Sequence, residues 1–257
     1  MESLYFWLVY FGIQGAVIGS FLNVVVERLP RGKSLMRRSK CDGCGRTLGY
    51  AELIPVFSYL FLNGRSKCCK KKLSIRYSIV EASTALIFLI ITYFYLSNVH
   101  MMTIAAWGGL LSILLIAATS ISITLIDFEH HIIPDSLQIV FFVGVLLLTY
   151  FEGNLIPVRV GQASLVALPI LLLYLATKGK GMGYGDIKLA FSLGMWLGLL
   201  NGFVGLYFGF IIGAIYGIVL MIIKRAGRKS HIAFGPFLLF GAWLAFMFGD
   251  FVLRLFF

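Results

Sequence analysis

Charge is scarce in this chain. Of its 257 residues only 13% are Asp, Glu, Lys or Arg, and only 11 are acidic. A soluble globule carries about a quarter charged residues, so this sequence cannot cover a water-facing surface. The same arithmetic excludes disorder, collagen and a small disulfide scaffold; cysteines number four. The apolar runs show no two-residue alternation and are far too long for strands, which excludes a β-barrel. The four histidines, His100, His130, His131 and His231, have no nucleophile partner in the pattern of a serine protease. His130 and His131 lie near Asp127, but as neighbours on a helix they face different ways and make a poor metal pair.

What is present is apolar: 60% of residues are hydrophobic, with a mean hydropathy of +0.93. A membrane helix needs about 20 apolar residues. Eight runs qualify, at 4–26, 77–97, 103–126, 136–151, 159–177, 187–200, 202–223 and 234–254, the sixth and seventh dividing at Asn201-Gly202. The expectation is an all-α polytopic membrane protein of about eight transmembrane helices. The first run lacks a basic leader and exceeds the h-region of a signal peptide, so it is expected to be retained. The basic residues test the count. Thirteen lie within 27–76; Lys178, Lys180 and Lys188 follow the fifth run; Lys224, Arg225, Arg228 and Lys229 follow the seventh. Eight crossings put all of these on one side and only Arg159 and Arg254 on the other. By the positive-inside bias that side is cytoplasmic and both termini lie outside. The formal net charge of +11 then implies attraction to anionic lipid and requires no nucleic-acid partner.

The 27–76 segment is a small cytoplasmic domain between the first two helices, too short to build much core unaided. It holds every cysteine: Cys41, Cys44, Cys68 and Cys69. Cytoplasmic thiols stay reduced. The Cys41-Asp42-Gly43-Cys44-Gly45 spacing is that of a zinc knuckle, and a structural zinc would staple the segment; a pair of free thiols is the alternative. Cys68 and Cys69, being adjacent, are not expected to ligate together with ordinary knuckle geometry.

Most of the acids have a structural reason for their place. Glu81, one turn into the second helix, can be reached by Arg76. Four remain: Asp127, Glu129 and Asp135 in LIDFEHHIIPD, and Asp186 in GMGYGDIK. The topology puts both segments on the cytoplasmic face. Two carboxylates at matched depth can share a proton, one activating water and the other protonating the leaving amine, which is acid–base amide hydrolysis without a covalent intermediate. Glycines 179, 181, 183 and 185 would let backbone approach a bound peptide; the stretch lacks Walker or dinucleotide spacing. Asp135 follows Pro134 and is expected to cap the fourth helix. Intramembrane acids also mark proton-coupled transporters, and the residues alone leave both classes open.

An ordered set of motifs narrows the choice. Gly19-Ser20-Phe21-Leu22-Asn23-Val24 with Arg28-Leu29-Pro30, the cysteine knuckle at 41–45, Ile54-Pro55, Ser74-Ile75-Arg76-Tyr77 and Val80-Glu81 span the first hundred residues. Asp127 through Asp135, Gly183-Tyr184-Gly185-Asp186-Ile187-Lys188 and Phe234-Gly235-Pro236 follow. Together they resemble the type IV prepilin peptidases, membrane aspartic peptidases of the GxGD class. The resemblance implies removal of the basic leader of type IV prepilins or type II secretion pseudopilins at the inner membrane, and N-methylation of the new N-terminus with S-adenosylmethionine, making a multifunctional enzyme. It assigns catalysis to Asp127 and Asp186 with no cofactor for hydrolysis, and support to Gly183, Gly185, Lys188, Asp135 and Glu129. A peptidase for another signal-bearing substrate, without methylation, is the runner-up. A transporter would show internal repeats and charges near mid-membrane on several helices, and neither is seen.

The resemblance also implies a partition into a first helix (1–26), a cysteine-containing basic segment associated with methylation (27–76) and a peptidase core (77–257). There are departures. The family commonly carries CxxC twice; alignment on Ser74-Ile75-Arg76-Tyr77 puts Cys69 at the fourth cysteine, Ser66 at the third, and Cys68 out of register. Ser78 stands where Pro is frequent and Glu129 where a second Asp is common. Zinc ligands are thus expected to be Cys41, Cys44 and Cys69, the fourth place falling to Cys68 after a local backbone shift, to another side chain or to water.

Overall fold

The structure is a computed structural model that describes residues 2–41, 43–99, 101, 103–223 and 233–256. The basic run at 224–229, with Asp42, His100 and His231, lies outside the described residues. The chain divides into two compact units, 1–103 and 104–257.

The first unit is built on α1 (Glu2–Arg28) and α3 (Ile75–Asn98). Both are long and apolar enough to cross a membrane. They pack antiparallel through small residues. A Cβ on Gly15 would fall 2.8 Å from the Ala85 Cα, and one on Gly19 2.8 Å from the Glu81 Cα. Without a hydrophobic force between helices in lipid, such close approach is what joins them. At the far end of this seam the Asn23 amide donates to the Tyr77 carbonyl at 3.1 Å. Between the two helices the chain forms a short 3-10 turn (Tyr50–Leu53), α2 (Phe57–Phe61) and irregular structure. Two isolated antiparallel bridges, Lys40 to Thr47 and Arg65 to Lys72, each pinch a knuckle that carries two of the cysteines.

The second unit comprises α4 (Ile104–His130), α5 (Asp135–Phe151), α6 (Ile156–Thr177), α7 (Tyr184–Ile222) and α8 (Gly235–Phe256). Six helices of the chain are membrane-length among the described residues, and α5, at 17 residues, is a shorter apolar helix. The 39 residues of α7 would make a straight rod of about 58 Å, roughly twice the thickness of a bilayer core. The rod is folded. A Cβ on Gly202 would lie 3.5 Å from the Gly194 Cα, whereas eight residues of straight helix separate by about 12 Å. The break is at Gly198, with φ 77° and ψ −168°, a region open essentially to glycine alone. The space a Cβ would need there is taken by the Arg159 guanidinium. The expected division at Asn201-Gly202 is therefore corrected to Gly198: backbone conformation, invisible in hydropathy, sets the turn. The limb after it runs antiparallel to α8, with Gly205 against Ala242 and Gly209 against Leu238.

The second unit thus has two ends. One gathers Gly108 with Phe151, Arg159 with Gly198, and Asn201 with Asp250. The other gathers the end of α4 and the starts of α5, α7 and α8, and the acidic motifs are here.

Candidate active site and cysteine cluster

Asp127 occupies the last turn of α4, 4% exposed, and Asp186 the first turn of α7, 7% exposed. Each is held by one glycine N–H. Asp127 Oδ2 accepts from Gly235 at 3.0 Å, and Asp186 Oδ2 from Gly183 at 2.9 Å. Gly235 opens α8 and Gly183 precedes α7, so both carboxylates take up helix N-terminal donors that have no partner inside their own helices. A single side chain links the two. Ile133 Cδ1 would lie 2.9 Å from a Cβ on Gly235, and Ile133 Cβ 3.3 Å from one on Gly185. A Cβ on Gly235 would stand 2.7 Å from Asp127 Oδ2, so only glycine brings the α8 backbone this close to the acid.

Of the supporting residues, Gly183 and Gly185 lie beside Asp186. Lys188 and Asp135 pair with each other: Lys188 Nζ is 2.7 Å from Asp135 Oδ1 and lies over the Tyr184 ring at 4.9 Å. The expectation that Asp135 caps its helix is corrected. Pro134 is the cap residue and no side-chain cap bond forms; Asp135 is already the first helical residue, so its carboxylate reaches across to α7 instead. Glu129 is exposed, near the end of α4.

One residue of this site was missed by sequence reasoning. Gln138 Nε2 donates to the Gly185 carbonyl at 3.2 Å, and its buried Oε1 has no hydrogen-bond partner. The available signal was a lone amide one turn into an apolar helix, where an unpaired polar atom is expensive.

In the first unit the four cysteines converge. The Sγ atoms of Cys41, Cys44, Cys68 and Cys69 all lie within 4.8 Å of one another, with Cys41–Cys69 at 3.7 Å and Cys44–Cys68 at 3.2 Å. Tetrahedral zinc with bonds of about 2.3 Å separates its sulfurs by about 3.8 Å, so the cluster has the dimensions of such a site. It is built from two matching turns. Cys41 N–H bonds the Arg46 carbonyl and Gly45 N–H the Cys41 carbonyl; Ser66 N–H bonds the Lys71 carbonyl and Lys70 N–H the Ser66 carbonyl. Gly45 and Lys70 both take positive φ. Ser66 therefore stands in the structural place of Cys41, and Cys69 in that of Cys44. Cys68 corresponds to Gly43, yet its thiol enters the cluster. Cys69 enters from the knuckle position and Cys68 from the turn before it, so this knuckle brings two adjacent thiols to the cluster by a geometry other than the ordinary one.

The backbone N–H groups of Cys44 and then Gly43, aimed at Cys41, lower its thiol to about 6. Bonds from the Cys44 and Cys41 thiols push Cys68 up to about 11. The thiolate is the form in which a cysteine ligates metal.

Comparisons with known proteins agree with this architecture. Residues 13–95 match the bacterial peptidase A24 N-terminal domain and residues 114–218 the type IV leader peptidase family. A prepilin leader peptidase/N-methyltransferase of Aeromonas salmonicida is 33% identical, over 98% of this chain and 93% of that protein. Proteins of the same name from Aeromonas hydrophila and Pseudomonas putida are 34% and 30% identical, over 98% and 97% of this chain and 93% of each relative. No solved structure matches. Fold and similarity together define a multi-pass, all-helical membrane peptidase. The chain belongs to the type IV leader peptidase family.

Proposed function

We propose that this chain cleaves the basic leader of type IV prepilins or type II secretion pseudopilins and N-methylates the residue that cleavage exposes. The work is placed at the cytoplasmic face of the bacterial inner membrane, with both chain termini on the opposite side. The reading is carried by two buried aspartates from different helices, each fixed by a glycine N–H and both set around Ile133, in a chain similar end to end to prepilin leader peptidase/N-methyltransferases.

Hydrolysis needs no metal in this scheme. One aspartate, as carboxylate, removes a proton from water as the oxygen bonds to the scissile carbonyl carbon. The other, protonated, gives its proton to the leaving nitrogen as the C–N bond breaks. The pair ends with its proton exchanged between partners, and a further transfer resets it. Because Asp127 and Asp186 are already hydrogen-bonded to rigid helix ends, little reorganisation accompanies the reaction. Gln138 holds the Gly185 carbonyl and so fixes the approach to Asp186.

Zinc would be held by Cys41, Cys44, Cys68 and Cys69, whose sulfur spacing fits it. Bound there it supplies cross-linking to the 27–76 segment and no chemistry of cleavage. S-adenosylmethionine supplies the methyl group. Purified protein incubated with a prepilin and methyl-labelled S-adenosylmethionine should give shortened pilin carrying label on its first residue. Full-length prepilin after prolonged incubation would overturn the reading; shortened but unlabelled pilin would leave a peptidase without methylation.

A further inference from the structure

Three sequence motifs remain outside the chemistry just described, and in the first unit they meet around one cavity of about 620 Å³. Ser20, Asn23 and Glu27 of α1 line it, with Tyr77, Ser78 and Glu81 of α3. The α1 positions recur at three- and four-residue steps, so one helix face is turned to the cavity. A polar stripe between two membrane helices is a functional site by default.

Glu81 is the most constrained member. It is 8% exposed, on a seam where Gly19 admits its backbone. A buried carboxylate is costly unless hydrogen-bonded, and Glu81 Oε2 accepts the Val56 N–H at 2.7 Å. Val56 has φ 63° and ψ −52°, with the Phe57 N–H on the Pro55 carbonyl at 2.6 Å. That is a three-residue turn of the rare positive-φ form, a strained conformation at a β-branched residue. Glu81 holds it in place and so anchors the wall that continues through Leu53, Ser58 and Tyr59. On another side Arg28 Nη1 bonds the carbonyls of Ser34, Leu35 and Arg37, fastening a strap that brings Arg37 and Arg38 into the lining.

We propose that this cavity binds the S-adenosyl methyl donor, an inference that rests on the methylation reading above. Such a donor joins an amino-acid head, through a sulfonium cation, to a flat heterocycle. The lining offers each part its counterpart. A buried carboxylate and tyrosines suit the sulfonium, Arg37 and Arg38 suit the carboxylate, and Leu48, Leu53 and Leu62 give apolar surface for the base. The volume lies within the range of about 300–1,000 Å³ usual for small-molecule sites. In the transfer the lone pair of the pilin amine forms an N–C bond while the C–S bond breaks and its electrons pass to sulfur, leaving a neutral thioether; the methylated ammonium releases its proton to water.

The test uses the full chain in detergent with two probes. S-adenosylmethionine binding is measured by calorimetry for wild type, Glu81→Gln, which retains an acceptor for Val56 N–H but no charge to face the sulfonium, and Ser20→Trp, which fills the cavity. An azido-adenosyl analogue is photocrosslinked to wild type and mapped by peptide. Binding at least tenfold weaker in both variants, with crosslinks confined to residues 20–81, supports the site. Crosslinks within 104–257, or both variants binding within twofold of wild type, overturn it while methylation itself stands. Wild type that cleaves prepilin yet binds no S-adenosylmethionine overturns the proposal together with the methylation reading. The crosslink needs no variant, so a misfolded substitution does not rescue the idea.

Discussion

Exchange of Asp127 for Asn separates the chemical role of the carboxylate from its structural one. Asp127 Oδ2 accepts the Gly235 N–H at 3.0 Å and thereby ties α4 to the start of α8. Asparagine has the same shape and keeps an acceptor oxygen, so that bond survives in neutral form. A charged hydrogen bond is worth about 1.5–3 kcal/mol and a neutral one about 0.5–1.5, which puts the stability loss near 1 kcal/mol. The amide can neither take nor give the proton. Removing one acid–base partner costs about 10²–10⁴ in rate, roughly 3–5 kcal/mol of barrier. Asp186→Asn should fall in the same range, and the double variant should be no slower than the slower single one, since either loss ends the same proton exchange. Asp127→Ala should be equally inactive but less stable, because a buried Gly235 N–H without a partner costs about 1–3 kcal/mol. The assay is the initial rate of prepilin shortening on gels, beside thermal melting in detergent. Cleavage by Asp127→Asn within tenfold of wild type, with an unchanged melting curve, would refute the dyad. Additive losses in the double variant would show that the two acids act in separate steps.

Four further outcomes follow from the same geometry. Gly235→Ala places a Cβ 2.7 Å from Asp127 Oδ2 and should slow cleavage about 10²-fold, the order of loss from an ångström-scale misplacement, with both acids intact; a rate near wild type would mean Asp127 tolerates displacement. Gly198→Ala forces a side chain into φ 77° against the Arg159 guanidinium and should destabilise by about 1–3 kcal/mol, read as a lower melting temperature, with Arg159→Ala relieving part of it. Gln138→Leu removes the bond to the Gly185 carbonyl and should lower kcat for leader cleavage more than it raises KM; a change in KM alone would place Gln138 in substrate binding. Cys68→Ser should reduce zinc retained against a chelator, and adding Ser66→Cys should restore it, because Ser66 holds the structural place of Cys41; retention unaffected by Cys68→Ser would exclude that thiol as a ligand.

Hydropathy and the placement of Lys and Arg were enough to specify an all-helical membrane protein, because a bilayer admits few ways to satisfy a backbone and charge is excluded from its core. They also left only four acids, Asp127, Glu129, Asp135 and Asp186, without another explanation, and the motif resemblance singled out Asp127 and Asp186 among them. What they could not contain was anything set by backbone torsion or by contact between distant residues. The reversal in α7 falls at Gly198 rather than at the more polar Asn201 because only glycine adopts that conformation beside Arg159. Asp135 reads as a helix cap from its neighbours, yet lies one residue too late to serve as one and pairs with Lys188, 53 positions away. Cys68 looks misplaced along the chain, but a thiol joins a cluster by where the turn points it. Glu81 suggested an ion pair from its neighbour Arg76, whereas its carboxylate holds a strained turn at Val56, 25 residues upstream. Sequence determined which residues were available for chemistry, because scarcity in an apolar chain makes each polar group conspicuous; tertiary structure decided their partners, because hydrogen bonds and close approaches depend on distance in space.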